Sequence, residues 1–177
     1  MLHLTPAMQK FVLHWGEMGD KWGVNRSVAQ IYALLYVAAR PLNAEDLSET
    51  LEIARSNVSN SLRELLGWGI IRLVHKVGDR RDHYESLADP WETLDRVLEE
   101  RRKREIEPTL RVLAECIAEA KANPKENKDV ATRLEALREL LSQGDALCAA
   151  MRRLPREAIL KMVRAGGKIK DFIGAKG

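Results

Sequence analysis

Residues 42–51 read Leu-Asn-Ala-Glu-Asp-Leu-Ser-Glu-Thr-Leu, residues 54–65 Ala-Arg-Ser-Asn-Val-Ser-Asn-Ser-Leu-Arg-Glu-Leu, and residues 70–84 Ile-Ile-Arg-Leu-Val-His-Lys-Val-Gly-Asp-Arg-Arg-Asp-His-Tyr. Asn43 with Asp46 three residues on is a variant of the capping box, so a short helix starts there with Leu47 and Leu51 facing inward. Ile53 and Ala54 make the turn. Val58, Leu62 and Leu65 recur at i, i+4 and i+7, the pattern of a second amphipathic helix, which Gly67 and Gly69 stop around Trp68. Ile70 to Lys76 is rich in β-branched residues, Gly78-Asp79 suits a tight turn, and Asp82 to Leu87 returns. Helix, turn, helix and basic hairpin in that order predict a winged helix-turn-helix, which places side chains in DNA grooves.

Outward from this stretch the chain reads as helix. Phe11, Val12, Trp15 and Met18 or Gly19 have helical spacing behind Pro6, and Gly23 breaks that run. Asn25 caps a second helix through Ala39, with a broad apolar face of Val28, Ile31, Tyr32, Leu35 and Tyr36, before Arg40-Pro41 ends it. After Pro90 the helices lengthen. Trp91, Leu94, Leu98, Ile106, Leu110, Leu113 and Ile117 form one apolar line, in which Pro108 predicts a kink or division. Beyond the Asn123-Pro124 connection, Val130, Leu134, Leu137, Leu141, Cys148 and Met151 approach the 3.5-residue repeat of a packing seam. Pro155 opens a last short helix that Ala165-Gly166-Gly167 ends. The hairpin is the one stretch that reads as β-structure. The expected fold is mainly α: residues 1–89 a winged helix-turn-helix domain with its N-terminal helix, residues 90–177 a helical dimerisation and effector region.

Composition narrows the function classes. Of 177 residues, 45% are hydrophobic, 31% charged and only 5% aromatic, which favours helices over a β-rich fold. The longest apolar run, Ile31 to Ala39, is about half of a membrane span, so no membrane partner is expected. No secretion signal is read at the N-terminus, and two cysteines make no disulfide framework, so the expected location is cytoplasmic. A net charge of +3 does not itself argue for nucleic acid; distribution does. Up to Pro90 there are ten Lys and Arg against eleven Asp and Glu. The acids Glu45, Asp46, Glu49 and Glu52 gather in the first helix of the motif. The bases Arg55, Arg63, Arg72, Lys76, Arg80 and Arg81 gather in the second helix and the wing, where a local field can attract phosphate.

With these residues in view the chain resembles the GbsR/MarR group of winged-helix transcriptional regulators, over about Phe11 to Leu113. The resemblance rests on residues 30–35 (Gln-Ile-Tyr-Ala-Leu-Leu), residues 55–63 (Arg-Ser-Asn-Val-Ser-Asn-Ser-Leu-Arg), residues 78–84 (Gly-Asp-Arg-Arg-Asp-His-Tyr) and Trp91-Glu92. Many members carry Gly-Arg-Ile before the second helix, where this chain has Val28-Ala29-Gln30-Ile31. The resemblance implies a homodimer joined through its terminal helices, two recognition helices in successive major grooves, and transcriptional control, often repression, sometimes relieved by a small molecule.

The candidate recognition residues are Arg55, Ser56, Asn57, Ser59, Asn60 and Arg63. A face chosen only for helix stability would carry Glu, Lys and Ala instead, whereas Arg suits guanine, Asn suits adenine, and Ser suits base edges or phosphate. Lys76, Arg80 and Arg81 are the candidate wing contacts, with Asp79 and Asp82 able to hold Arg81 in a structural network. Trp15, Trp22, Tyr36 and Trp91 form a candidate effector pocket, since aromatic faces attract cations; ordinary core is the plainer reading. Cys116 and Cys148 read as buried inert thiols, and His75 and His83 as surface residues without a third metal ligand. The charged run from Glu99 to Glu105 reads as a solvated helix face. No catalytic constellation, cofactor loop or metal site is expected, so the chain is not read as an enzyme. A winged-helix module for protein assembly, with weak or no specific DNA binding, is the reading from a different class.

Overall fold

The computed structural model describes residues 2–174, which divide after Glu100 into two compact units. In the first, helix α1 (Pro6–Lys21) is capped by Thr5, whose hydroxyl accepts from the Met8 N–H. Gly23 at φ +73° turns the chain, and Asn25 caps α2 (Arg26–Val37). Helix α2 is the centre of this unit, with Ile31, Ala33 and Leu34 wholly buried. Glycines let α1 lie directly on it: a Cβ at Gly19 would stand 2.5 Å from the Cβ of Ala29.

A two-residue strand, β1 (Leu42–Asn43), leads into α3 (Ala44–Leu51). The buried Asn43 side chain accepts from the N–H groups of Glu45 and Asp46, both at 2.9 Å, and Asp46 returns the bond to the Asn43 N–H. This reciprocal cap satisfies donors that a helix start otherwise leaves unpaired. Helix α3 stops at Glu52, which holds the left-handed conformation at φ +54°. The Ser48 hydroxyl then closes the turn by donating to the Ile53 carbonyl at 2.7 Å. Helix α4 (Arg55–Gly67) follows and buries Val58, Ser61, Leu62 and Leu65.

Strands β2 (Ile71–Lys76) and β3 (Asp79–Ser86) form the hairpin, and β1 joins as a third strand in the order β1-β3-β2, all antiparallel. The sequence reading missed β1, because two residues are too few to show alternation. The loop is Val77-Gly78 rather than Gly78-Asp79, with Lys76 opposite Asp79. Gly78 alone takes a positive φ, +82°. Such a loop splays a hairpin relative to the primed turns, and an irregularity between Val74 and Lys76 takes up the mismatch.

Helix α5 (Pro90–Arg101) is tied to α2 by a buried hydrogen bond in which the Tyr32 hydroxyl donates to Thr93 Oγ1. Burial raises the Tyr32 pKa, the bond to Thr93 works against that rise, and neighbouring Tyr36 adds to it. A π-helical segment (Arg102–Ile106) then precedes α6 (Glu107–Ala122). Pro108, which has no N–H, falls in the first turn of α6. The widened turn closes with Glu107 N–H donating to the Arg102 carbonyl, so the expected division is made by a π segment rather than a loop.

In the second unit α7 (Pro124–Arg152) packs on α6 after the single connecting residue Asn123. Leu113, Ile117 and Ala120 of α6 are buried, as is Ala131 of α7. A Lys121–Glu135 pair joins α6 to α7, and an Arg102–Asp145 pair joins the π segment to α7. The expected seam is only partly right. Leu134 and Leu141 are half-buried, but Val130, Leu137, Cys148 and Met151 are exposed, because the covered side follows 131, 134, 141, 145 and 149, the period of a straight helix rather than a 3.5-residue repeat. Cys148 is accordingly no buried thiol, and Cys116 is only half-buried. Helix α8 (Arg156–Gly174) continues through Gly166-Gly167, where the sequence predicted its end.

The contact of α1 with α2 gives a test. Gly19→Ala is expected to cost about 1–3 kcal/mol, the usual penalty for overpacking a tight contact. Gly67→Ala, where nothing lies within 4 Å of the added Cβ, should be neutral or stabilising. Urea unfolding of both variants measures the difference.

Candidate nucleic-acid interface

Helix α4 keeps its apolar stripe in the core, so its other side is turned out. Arg55, Ser56, Asn57, Ser59, Asn60 and Arg63 are all exposed. Among the described residues no side-chain hydrogen bond engages Ser56, Asn57 or Ser59, and Arg63 Nη1 donates to Asn60 Oδ1 at 3.1 Å. The helix is preceded by Ala54, which supplies no side-chain cap. Its first-turn N–H groups therefore have no side-chain acceptor from the capping residue.

The wing residues separate into three situations. Lys76 donates to the Pro41 carbonyl at 3.3 Å, which ties β2 to the segment before β1. Arg80 is exposed and has no hydrogen bond or ion pair among the described residues. Arg81 is held by Asp79, with Nη2 to Oδ2 at 2.7 Å and Nε to Oδ1 at 3.0 Å, and its Nη1 lies 3.6 Å from Glu45 Oε2. The hydrogen bonds from Arg81 keep the Asp79 carboxyl well below the usual carboxylate range. The foremost point of the wing is not an arginine: Val77, fully exposed, stands in the loop, and Arg80 and Arg81 lie on β3 behind it.

His83 corrects the surface reading. It is buried on β3, its Nδ1–H donating to the Arg81 carbonyl at 2.9 Å and its Nε2 lying 3.5 Å from Asp79 Oδ2. His75 is exposed. Among the described residues no group of three His, Cys, Asp or Glu is placed to hold a metal.

Sequence reasoning assigned Glu45 no part in the site. Its Oε1 receives Arg55 Nη2 at 2.6 Å, and with Arg81 close to its other oxygen it bridges α4 and the wing. Its position in the first turn of α3 was visible; that this turn faces the start of α4 was not.

The candidate effector residues divide. Trp15 meets Trp22 edge-on at 5.5 Å and Phe11 at 5.2 Å, and Phe11 reaches Tyr36 at 6.4 Å. Tyr36 stacks on Tyr32 at 6.1 Å. Three of the four are thus linked on α1 and α2 through Phe11, while Trp91 is half-buried at the start of α5. No helix among the described residues is long and apolar enough to cross a membrane.

A polar helix face, a capped helix across a tight turn and a three-stranded wing define a winged helix-turn-helix. Residues 22–82 match the model of the MarR family. YvaV of Bacillus subtilis (strain 168), assigned as an HTH-type transcriptional regulator, is 26% identical over 90 residues, 51% of either chain. The HTH-type transcriptional repressor OpcR of the same organism is 25% identical over 72 residues, 41% of this chain and 39% of OpcR. The chain thus spans about half the length, or less, of these curated relatives. The crystal structure of a transcriptional regulator, 21% identical, superposes with a TM-score of 0.58 over 83% of this chain and 96% of that one, which establishes the shared fold.

The α3 cap generates a pH test. Burial disfavours the charge of Asp46, but hydrogen bonds from Arg40 and the Asn43 N–H and the charge of Arg40 outweigh it, so its pKa is lowered. A carboxylate with a depressed folded pKa adds stability above its unfolded value, about 3.9, and loses it as pH falls through the folded value. Asp46→Asn should therefore be less stable than the parent at pH 7, with the gap closing below about pH 4. Urea unfolding at a series of pH values checks this, and a gap independent of pH would contradict it.

Proposed function

We propose that the chain is a sequence-specific transcriptional regulator of the GbsR branch of the MarR family. It acts in the cytoplasm as a homodimer on a pseudo-palindromic operator, as a repressor, and its binding is modulated by a small molecule. The observation that carries this reading is the row of Ser56, Asn57, Ser59, Asn60 and Arg63, exposed opposite the buried stripe of α4. Their donors and acceptors match base edges in a major groove. Arg80 on β3 is the wing cation for phosphate or a narrow minor groove. Repression is the role named for OpcR, and a dimer on promoter DNA achieves it by occlusion.

Asn57→Ala or Asn60→Ala should lower discrimination between operator and random DNA by about 1–3 kcal/mol for each base-edge hydrogen-bonding pair removed. Arg80→Ala should weaken both DNAs alike and flatten the salt dependence by about one unit if it meets phosphate. Titrations at several salt concentrations against a selected operator read both effects. A protein with neither sequence preference nor salt slope would be an assembly module instead.

Dimerisation is supported by exposed Val112, Leu140, Leu147, Met162 and Val163 on the helices of the second unit. A self-complementary interface would cover such surface. Light scattering at micromolar concentration should give twice the chain mass, and a monomer would contradict it. The linked rings of Trp15, Trp22 and Tyr36 support an effector of cationic character, since their faces attract positive charge.

A further inference from the structure

Glu45 is an acid that pairs with both of the elements proposed to meet DNA. Its Oε1 takes Arg55 Nη2 at 2.6 Å, and its Oε2 lies 3.6 Å from Arg81 Nη1. Asp79 occupies Arg81 Nε and Nη2, so Nη1 is the corner of that guanidinium turned to Glu45. Arg55 keeps Nε and Nη1 for other acceptors. Both arginines and Glu45 are at least two-fifths exposed, so each pair is individually weak and open to exchange with phosphate. A paired arginine has fewer rotamers to lose when it makes a planar contact with a base. An arginine drawn to a stray phosphate must instead leave Glu45, whose own charge repels that phosphate.

Building on the DNA-binding role above, we propose that Glu45 is a positioning residue for operator recognition. It holds Arg55 of the recognition helix and Arg81 of the wing from one carboxylate, so that both meet DNA as a preset pair. The carboxylate sharpens specificity by penalising loose phosphate contact, and weakens total attraction to DNA in doing so. An acid inside a DNA-facing surface is thereby accounted for.

The test is Glu45→Gln in the full chain, which keeps size and removes charge. Binding is titrated against a selected operator and a random duplex at several salt concentrations. Affinity for random DNA should rise about two- to fivefold, the change a surface ion pair of ordinary strength carries. The salt slope on random DNA should steepen by about one unit as a freed arginine neutralises phosphate. Operator affinity should stay level or fall, so the specificity ratio drops. In an Arg55→Ala background the same change should move the ratio much less.

Equal gains on both DNAs would reduce Glu45 to simple repulsion and overturn the proposal, as would no change on either. An equal effect with and without Arg55 would also overturn it. A parent protein lacking operator preference would instead defeat the regulator reading itself. An unchanged melting temperature for Glu45→Gln separates any shift in the ratio from a loss of fold.

Discussion

The reciprocal cap at Asn43 is the constraint on which the rest of the candidate surface depends. Its backbone pairs with His83 in the sheet while its side chain closes the first turn of α3. A buried amide is costly unless its polar atoms are satisfied, and here that satisfaction joins two elements. The wing strand and the first helix of the motif are therefore positioned from one residue. Helix α4 inherits its direction through Glu52 and the Ser48–Ile53 bond, since both fix the turn that α3 ends in.

Charge on this surface follows from that geometry. Capping places Asp46 at the start of α3, with Glu45 beside it, where the helix dipole favours acids. The turn then brings Glu45 to Arg55 of α4 and Arg81 of β3, while Asp46 pairs with Arg40. Arg55 and Arg81 become internally compensated, while Arg80 is left with an open field. A winged domain with no net basic excess can thus present a local cation, because distribution governs the local potential more than the total.

The sequence made the motif legible where local chemistry decides it. Asn43 with Asp46, the Val58-Leu62-Leu65 spacing and the glycines around Trp68 each specify a boundary from residues close in the chain. What escaped depends on contacts far apart in sequence. Strand β1 exists because β3 offers it a partner, and His83 is buried where β3 pairs with Asn43 of that strand. Glu45 meets Arg55 across ten residues and Arg81 across thirty-six, distances that no periodicity encodes. The hairpin turn was misplaced by one residue because Gly-Asp is a good loop pair, yet Gly78 serves as its second position. In α7 a near-3.5-residue pattern over one helix did not say which of two neighbouring faces α6 would cover.

The irregularity between Val74 and Lys76 has a meaning beyond the shape of the loop. Strand β2 lies at the margin of the sheet, with one row of backbone groups lacking a neighbouring strand. Such a margin is a template for adding a strand from another molecule, and a regular, apolar one invites fibre growth. Here the local break disturbs the regular spacing of that row, and charged Arg72 and Lys76 flank the stretch it interrupts. The wing can extend into solvent without becoming a seed for polymerising its own chain.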